Sequence, residues 1–172
     1  MSTVFGHTPL LQRADYTYKL NAKTGRHGWL RLTPAYSLKI VEELIVNHTQ
    51  TQRVLDPFCG TGTTALSAAY HGHEVVTTDI NPFLIWLSQA KLADYSLQDL
   101  AATRKACALA LDLVKQEAVT PVSAPPIHNI ERWWGTKELE FLRLLKAALL
   151  EVTEINSPER TLLMVSFCRA LI

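Results

Sequence analysis

The chain has 172 residues, of which 48% are apolar and 19% charged, enough for one folded domain of ~100–200 residues and against a disordered chain. With 17 Lys and Arg against 16 Asp and Glu, the formal charge is +1, so any binding to nucleic acid or a membrane surface has to come from a local patch. No apolar run approaches the ~20 residues of a membrane span, the start MSTVFGHTPLLQR lacks the layout of a secretory signal, and Cys59, Cys107 and Cys168 have no CxxC spacing, against a disulfide scaffold or a zinc knuckle. These features together predict a soluble cytoplasmic protein without a metal site.

In chain order, residues 1–33 mix aromatics, glycines and positive charge without periodicity and read as an irregular N-terminal arm. Lys19, Lys23, Arg26, His27 and Arg31, interleaved with Tyr16, Tyr18 and Trp29, are either a phosphate-contacting cluster or a solvated arm. Thr33-Pro34 offers a cap followed by a first-turn proline, and Leu38, Val41, Leu44 and Ile45 predict an amphipathic helix over about 34–47. Val54-Leu55 is a short strand running into Asp56-Pro57-Phe58-Cys59-Gly60-Thr61-Gly62, and Thr63 to Tyr70 is helical, with Gly72 placed to end it. Glu74 to Thr78 is a second strand that stops at Asp79, and Asn81-Pro82 opens a helix from Phe83 to Lys91. The order strand, glycine turn, helix, strand, acid, helix is the first half of a doubly wound α/β sheet.

Beyond this 34–95 core, residues 96–172 read as a helical segment. Ser96 with Asp99 has capping-box spacing and opens a helix through about Ala118. The stretch TPVSAPP is a loop, another helix runs from Thr136 to about Val152, and Ser157-Pro158 starts a last one. No further strand is evident, and the apolar stretch TLLMVSFCRALI runs to the last residue, so the expectation is a fragment or one half of a split protein. Two parallel strands cannot bury both faces of a sheet by themselves.

Gly60-x-Gly62-x-x-Ala65 fits a nucleotide-binding turn, and Asp79 lies 19 residues beyond Gly60, where an acid meets a ribose hydroxyl. Asp56, four residues before Gly60, separates the nucleotides. A carboxylate there repels the pyrophosphate of NAD or FAD but suits S-adenosylmethionine (SAM), which carries an ammonium and a sulfonium and no phosphate. A purely structural Asp56, capping the turn that follows, would leave Asp79 unexplained.

The stretch LDPFCGTGTTALSAAYHGHEVVTTDINP resembles motifs I and II of the DNA amino-methyltransferases, which methylate N4 of cytosine or N6 of adenine. The resemblance extends over about residues 27–172 and is strongest over 54–82. TPAYSLKIVEELI is similar to the segment that precedes motif I in this family, and IHNIERWW resembles its cytosine-N4 branch. The family implies a Rossmann-like SAM-dependent methyltransferase fold, here incomplete, with SAM as cofactor. Asp56 and the backbone of Phe58, Cys59, Gly60, Thr61 and Gly62 would surround the methionine moiety, with Pro57 and Thr63 also counted as cofactor-binding; Asp79 would accept from the ribose hydroxyls, Ile80 or Asn81 would edge the adenine, and Tyr36 and Ser37 would close the carboxylate end. The function implied is the SAM-binding portion of a DNA methyltransferase, cytosine N4 before adenine N6, in a restriction–modification or phage setting.

In that family a Ser/Asp/Asn-Pro-Pro-aromatic tetrapeptide holds the flipped base. The sole Pro-Pro here is Ala124-Pro125-Pro126-Ile127. Ala124 cannot accept from the amine and Ile127 cannot stack as an aromatic does, so no catalytic residue is assigned, and a second subunit or further polypeptide is expected to supply the motif. An RNA or tRNA amino-methyltransferase, or an inactive cofactor-binding regulatory module, remains an alternative. Cys59 reads as a small loop residue rather than a nucleophile, since no Pro-Cys occurs. Cys107 and Cys168 fall on apolar faces and read as core. His71 and His73 sit at a helix end, with no third ligand nearby. Trp133-Trp134 is expected to pack under the following helix rather than stack on a base.

Overall fold

The computed structural model describes residues 16–30, 32, 35–46 and 50–171. They form two compact units that divide between Leu92 and Ala93.

The first unit begins with a short helix, α1 (Tyr18–Asn21), capped by the Thr17 hydroxyl, and a 3-10 turn over Gly25–Gly28. Lys19 and Lys23 are exposed, but the segment is also anchored. Asn21, His27 and Leu30 are buried, and Arg26 stacks its guanidinium over the Trp29 ring at 5.4 Å. Arg31 lies outside the described residues, so the basic cluster is not seen as a whole. Helix α2 spans Leu38–Ile45 and is capped by Ser37, whose hydroxyl accepts from Lys39 N. The expected start at Thr33-Pro34 falls outside the described residues, and the observed cap lies later, at Ser37. Leu38, Val41 and Ile45 are buried, which is the face the apolar spacing marks.

Strand β1 (Arg53–Asp56) and strand β2 (Glu74–Thr77) pair in parallel, with Val54 opposite Val75 and Leu55 opposite Val76. They are the only strands among the described residues. Between them runs α3 (Thr63–Tyr70), with the residue bounds that its composition predicts. Its small residues Ala65, Ser67 and Ala68 are buried, and Ala68 packs with Val41, Ile45, Val54 and Val75. Because side chains alternate along a strand, the opposite sheet face carries Leu55 and Val76, which are 70% and 55% exposed. A parallel sheet is ordinarily covered on both faces; in the described residues this one is covered on one. Gly72 follows α3 with φ +72°. His71 is exposed, whereas His73 is buried and its Nδ1 accepts from Gln52 N at 3.2 Å. Helix α4 (Pro82–Leu92) starts where Asn81 Oδ1 accepts from Phe83 N at 3.0 Å.

The second unit is helical. Helix α5 (Leu97–Lys115) opens with the Ser96/Asp99 capping box and stops short of Ala118, with Glu117 at φ 52° just beyond it. Helices α6 (Thr136–Glu151) and α7 (Pro158–Ala170) complete it, the latter capped by Ser157 with Pro158 in the first turn. Ala110, Ala148, Leu149, Leu163 and Phe167 make the core, with Cys107 packed against it. Cys168 is half-buried, and burial raises its thiol pKa. The packing expected of the tryptophans holds for neither ring in full: Trp134 is half-buried and Trp133 is 73% exposed.

No helix among the described residues is long and apolar enough to cross a membrane, and no group of three or more His, Cys, Asp or Glu among them is placed to hold a metal.

Candidate cofactor site

The glycine turn lies at the C-terminal ends of β1 and β2, the side of an open α/β sheet where ligands are received. The strand ladder continues into it. Thr78 N donates to Asp56 O at 3.1 Å and Cys59 N to Thr78 O at 2.8 Å. The next amide along, Gly60 N, donates at 2.9 Å to Oδ2 of Asp79. The other oxygen of Asp79, Oδ1, accepts from Asn81 N at 2.8 Å. The two carboxylates that the spacing selects, Asp56 and Asp79, thus stand at adjacent strand ends with the glycine turn beside them.

Asp79 is ionised at neutral pH: hydrogen bonds from the Asn81 and Gly60 amides hold its carboxyl below the ordinary aspartate value. Each of its oxygens accepts one of these two bonds, the Ile80 amide adds a weaker one, and the carboxylate has further acceptor capacity for a ligand hydroxyl. Asp56 is 9% exposed. Its Oδ1 accepts from Phe58 N at 3.0 Å and its Oδ2 from the Tyr36 hydroxyl at 3.4 Å. That hydroxyl also bonds Thr64 Oγ1. Burial, with the nearby Asp56 carboxylate, raises the phenol's pKa, so Tyr36 remains a donor at neutral pH.

Backbone shape explains the two glycines differently. Gly60 has φ +51° and only an ordinary contact, Phe58 O at 3.7 Å, where a Cβ would be; Gly62 has φ +76°, and a Cβ there would lie 2.7 Å from Ser88 Oγ and 3.2 Å from Ser88 Cα. Gly60 is needed for conformation alone. Gly62 is needed for conformation and for the close approach of α4. As the residue before α3, Gly62 also brings no side-chain cap, leaving the first-turn amides of α3 to solvent or a ligand.

The remaining expected residues separate by exposure. Phe58 and Ile80 present their side chains to solvent beside the turn, Ile80 fully. Pro57 is exposed, and its carbonyl accepts from Thr78 Oγ1 at 3.0 Å. Asn81 caps α4. Thr61 is half-buried, while Cys59 and Thr63 are buried within the fold. Ser37 is buried, and its hydroxyl caps α2 by accepting from Lys39 N at 3.2 Å.

Two residues that the sequence reading passes over support the site from below. Asn21, in α1, donates from Nδ2 to Tyr36 O at 3.1 Å and accepts at Oδ1 from Leu38 N at 2.7 Å. Lys91, in α4, is 1% exposed and donates from Nζ to Thr61 O at 2.8 Å. The signal for Lys91 was its phase: it lies four residues after Leu87 and three after Ser88, on the buried stripe of the helix.

Residues 38–118 match the family model of the D12 class N6 adenine-specific DNA methyltransferases. The chain is also similar to the Type II methyltransferase M.BsoBI of Geobacillus stearothermophilus, 29% identical over 97 residues, which are 54% of this chain and 19% of that protein. The chain thus spans about a fifth of the length of that curated relative. No solved structure matches. Over this stretch the chain is similar to DNA amino-methyltransferases. The matching class is the adenine-N6 one, so the ranking of cytosine N4 ahead of adenine N6, drawn from IHNIERWW, has no support.

Proposed function

We propose that this chain is the SAM-binding portion of a DNA methyltransferase that transfers a methyl group to an exocyclic amine, adenine N6, with a Rossmann-like core over about 34–95 and a helical segment after it. The observation that carries the reading is the pair of carboxylates at adjacent strand ends, with Asp79 tied to the Gly60 amide at 2.9 Å. In this reading the spare lone pairs of Asp79 accept from the ribose hydroxyls, and the exposed Ile80 side chain, with Asn81 beside it, edges the adenine. Asp56, the backbone from Phe58 to Gly62 and the Tyr36 hydroxyl enclose the methionine end, while Cys59 and Thr63 shape the turn from within.

SAM, when bound, supplies an electrophilic methyl on its sulfonium. The chain's part is to hold that group by its ends. The acceptor amine needs its lone pair freed by hydrogen-bond acceptors and its base taken out of the stack. Ala124-Pro125-Pro126-Ile127 offers neither an acceptor side chain nor an aromatic face, so the base-holding tetrapeptide comes from other polypeptide, in the same chain or a second subunit. DNA is the substrate partner, in a cytoplasmic restriction–modification setting.

The missing tetrapeptide also favours a second reading, a cofactor-binding module without transferase activity of its own. Ultraviolet crosslinking of methyl-tritiated SAM, competed by S-adenosylhomocysteine and not by NAD, tests the site shared by both readings. Nucleoside mass spectrometry of DNA from cells expressing the chain, with and without the sequence flanking it in its gene, separates them. N6-methyladenine above background with the flanking sequence supports the transferase; its absence supports the module.

A further inference from the structure

Lys91 is a buried ammonium without a counter-ion. Its Nζ donates to Thr61 O at 2.8 Å and to His27 O at 3.4 Å, and no carboxylate pairs with it among the described residues. Arg26 returns the contact, its Nη1 donating to the Lys91 carbonyl at 2.8 Å. Burying a cation among carbonyls costs more than burying a leucine or methionine of like volume, so packing alone does not account for a lysine here.

The bonds of the turn show what the ammonium does. The peptide joining Thr61 and Gly62 is held at both ends: its carbonyl by Lys91 and its N–H by Cys59 O at 2.9 Å. The peptide joining Cys59 and Gly60 is likewise held, its carbonyl by Gly62 N and its N–H by Asp79. The peptide between them, joining Gly60 and Thr61, has neither its carbonyl nor its N–H in a hydrogen bond among the described residues. Flanked by two glycines that readily change conformation, a turn of this kind keeps one form only if its outer peptides are pinned.

We propose that Lys91 is a positioning residue of the glycine turn: its ammonium, anchored on the 3-10 turn at His27, fixes the Thr61 carbonyl so that the Gly60–Thr61 peptide is presented to the adenosyl ligand. The inference rests on the reading of this turn as the cofactor site. An ammonium donates more strongly than a neutral amine. Burial lowers the Lys91 pKa to about 8, so the hold on Thr61 weakens as pH rises through that value. The groups facing it are the Cys59 thiol in the turn, the His27 ring and the Arg26 guanidinium. With its pKa lowered to about 4, His27 is neutral throughout that range, and Arg26 remains charged.

The test uses the full chain and two readouts. In carbon-detected NMR of the ligand-free protein, the Thr61 carbonyl carbon and those of Gly60 and Gly62 shift together with a midpoint near pH 8. Lys91→Met and Lys91→Gln abolish that transition, whereas Cys59→Ala, titrated in parallel, retains it. By calorimetry at pH 7, Lys91→Met binds S-adenosylhomocysteine at least tenfold more weakly than wild type. Lys91→Gln, which can still donate to Thr61, falls between them. A transition that persists in both Lys91 variants or vanishes in Cys59→Ala overturns the proposal, as does wild-type affinity in a folded Lys91→Met chain. A wild-type chain with the transition but no adenosyl binding removes the cofactor reading and leaves the hold on Thr61 standing.

Discussion

Gly60 and Asp79 are joined across the ends of two strands: the Gly60 amide donates to the Asp79 carboxylate at 2.9 Å, over 19 residues of chain. The acid that the spacing marks as a ribose ligand therefore first sets the shape of the turn it serves. Its depressed pKa fixes the direction of the pH effect. A carboxyl whose folded pKa lies below its unfolded value contributes above the unfolded value and loses that contribution as pH falls through the folded one. Below the pH range in which Lys91 titrates, the Gly60 amide shift is predicted to stay constant and to move only below the ordinary aspartate value near 3.8. Asp79→Asn should remove that acid transition.

His27 titrates in a different window. Burial, with the charge of Lys91, lowers its pKa from 6.5 to about 4. Between those values the unfolded chain binds the extra proton, so stability rises with pH across the window and is lost on acidification, by up to about 3 kcal/mol. Urea denaturation at pH 4.5 and 7 measures this slope, and His27→Gln should flatten it.

The two glycines of the turn should respond unequally. Gly60→Ala carries only the conformational penalty, about 1 kcal/mol. Gly62→Ala adds a collision with Ser88 and should cost about 2–4 kcal/mol. Thermal denaturation of the pair checks the order. Equal losses would mean that α4 gives way at Ser88.

Asn21→Ala should destabilise the first unit by about 2–4 kcal/mol, because it leaves the buried Leu38 amide and the Tyr36 carbonyl without their partner. Trp133→Ala should change stability by no more than about 0.5 kcal/mol, since the ring is largely in solvent. A clear loss of DNA binding in that variant would then report a contact rather than misfolding.

These elements also mark what the sequence made legible. The turn, its acid and helix α3 were readable because each is defined by spacing along a short stretch, as was the Ser96/Asp99 box. Thr33, the cap that the sequence suggests, and Ser37, the cap observed, are both hydroxyl residues, and local sequence does not choose between them. The anchoring of residues 16–30 was not legible for a clearer reason. What holds it is a set of single bonds to distant partners, Asn21 to Tyr36 and Leu38, Arg26 to Lys91, and Lys91 to His27, and such bonds leave no periodic trace. Trp133 is a case of the same kind, since its exposure depends on the path of a loop that propensity does not specify.

The central claim is that the turn between β1 and β2 holds an adenosyl cofactor through Asp79. Calorimetric titration of the full chain with SAM and S-adenosylhomocysteine, with NAD as control, on wild type and Asp79→Ala, tests it most directly. The account predicts binding of the two adenosyl ligands and not of NAD, weakened at least tenfold by the substitution. Binding of NAD in their place, or equal affinity in wild type and a folded Asp79→Ala chain, would contradict it.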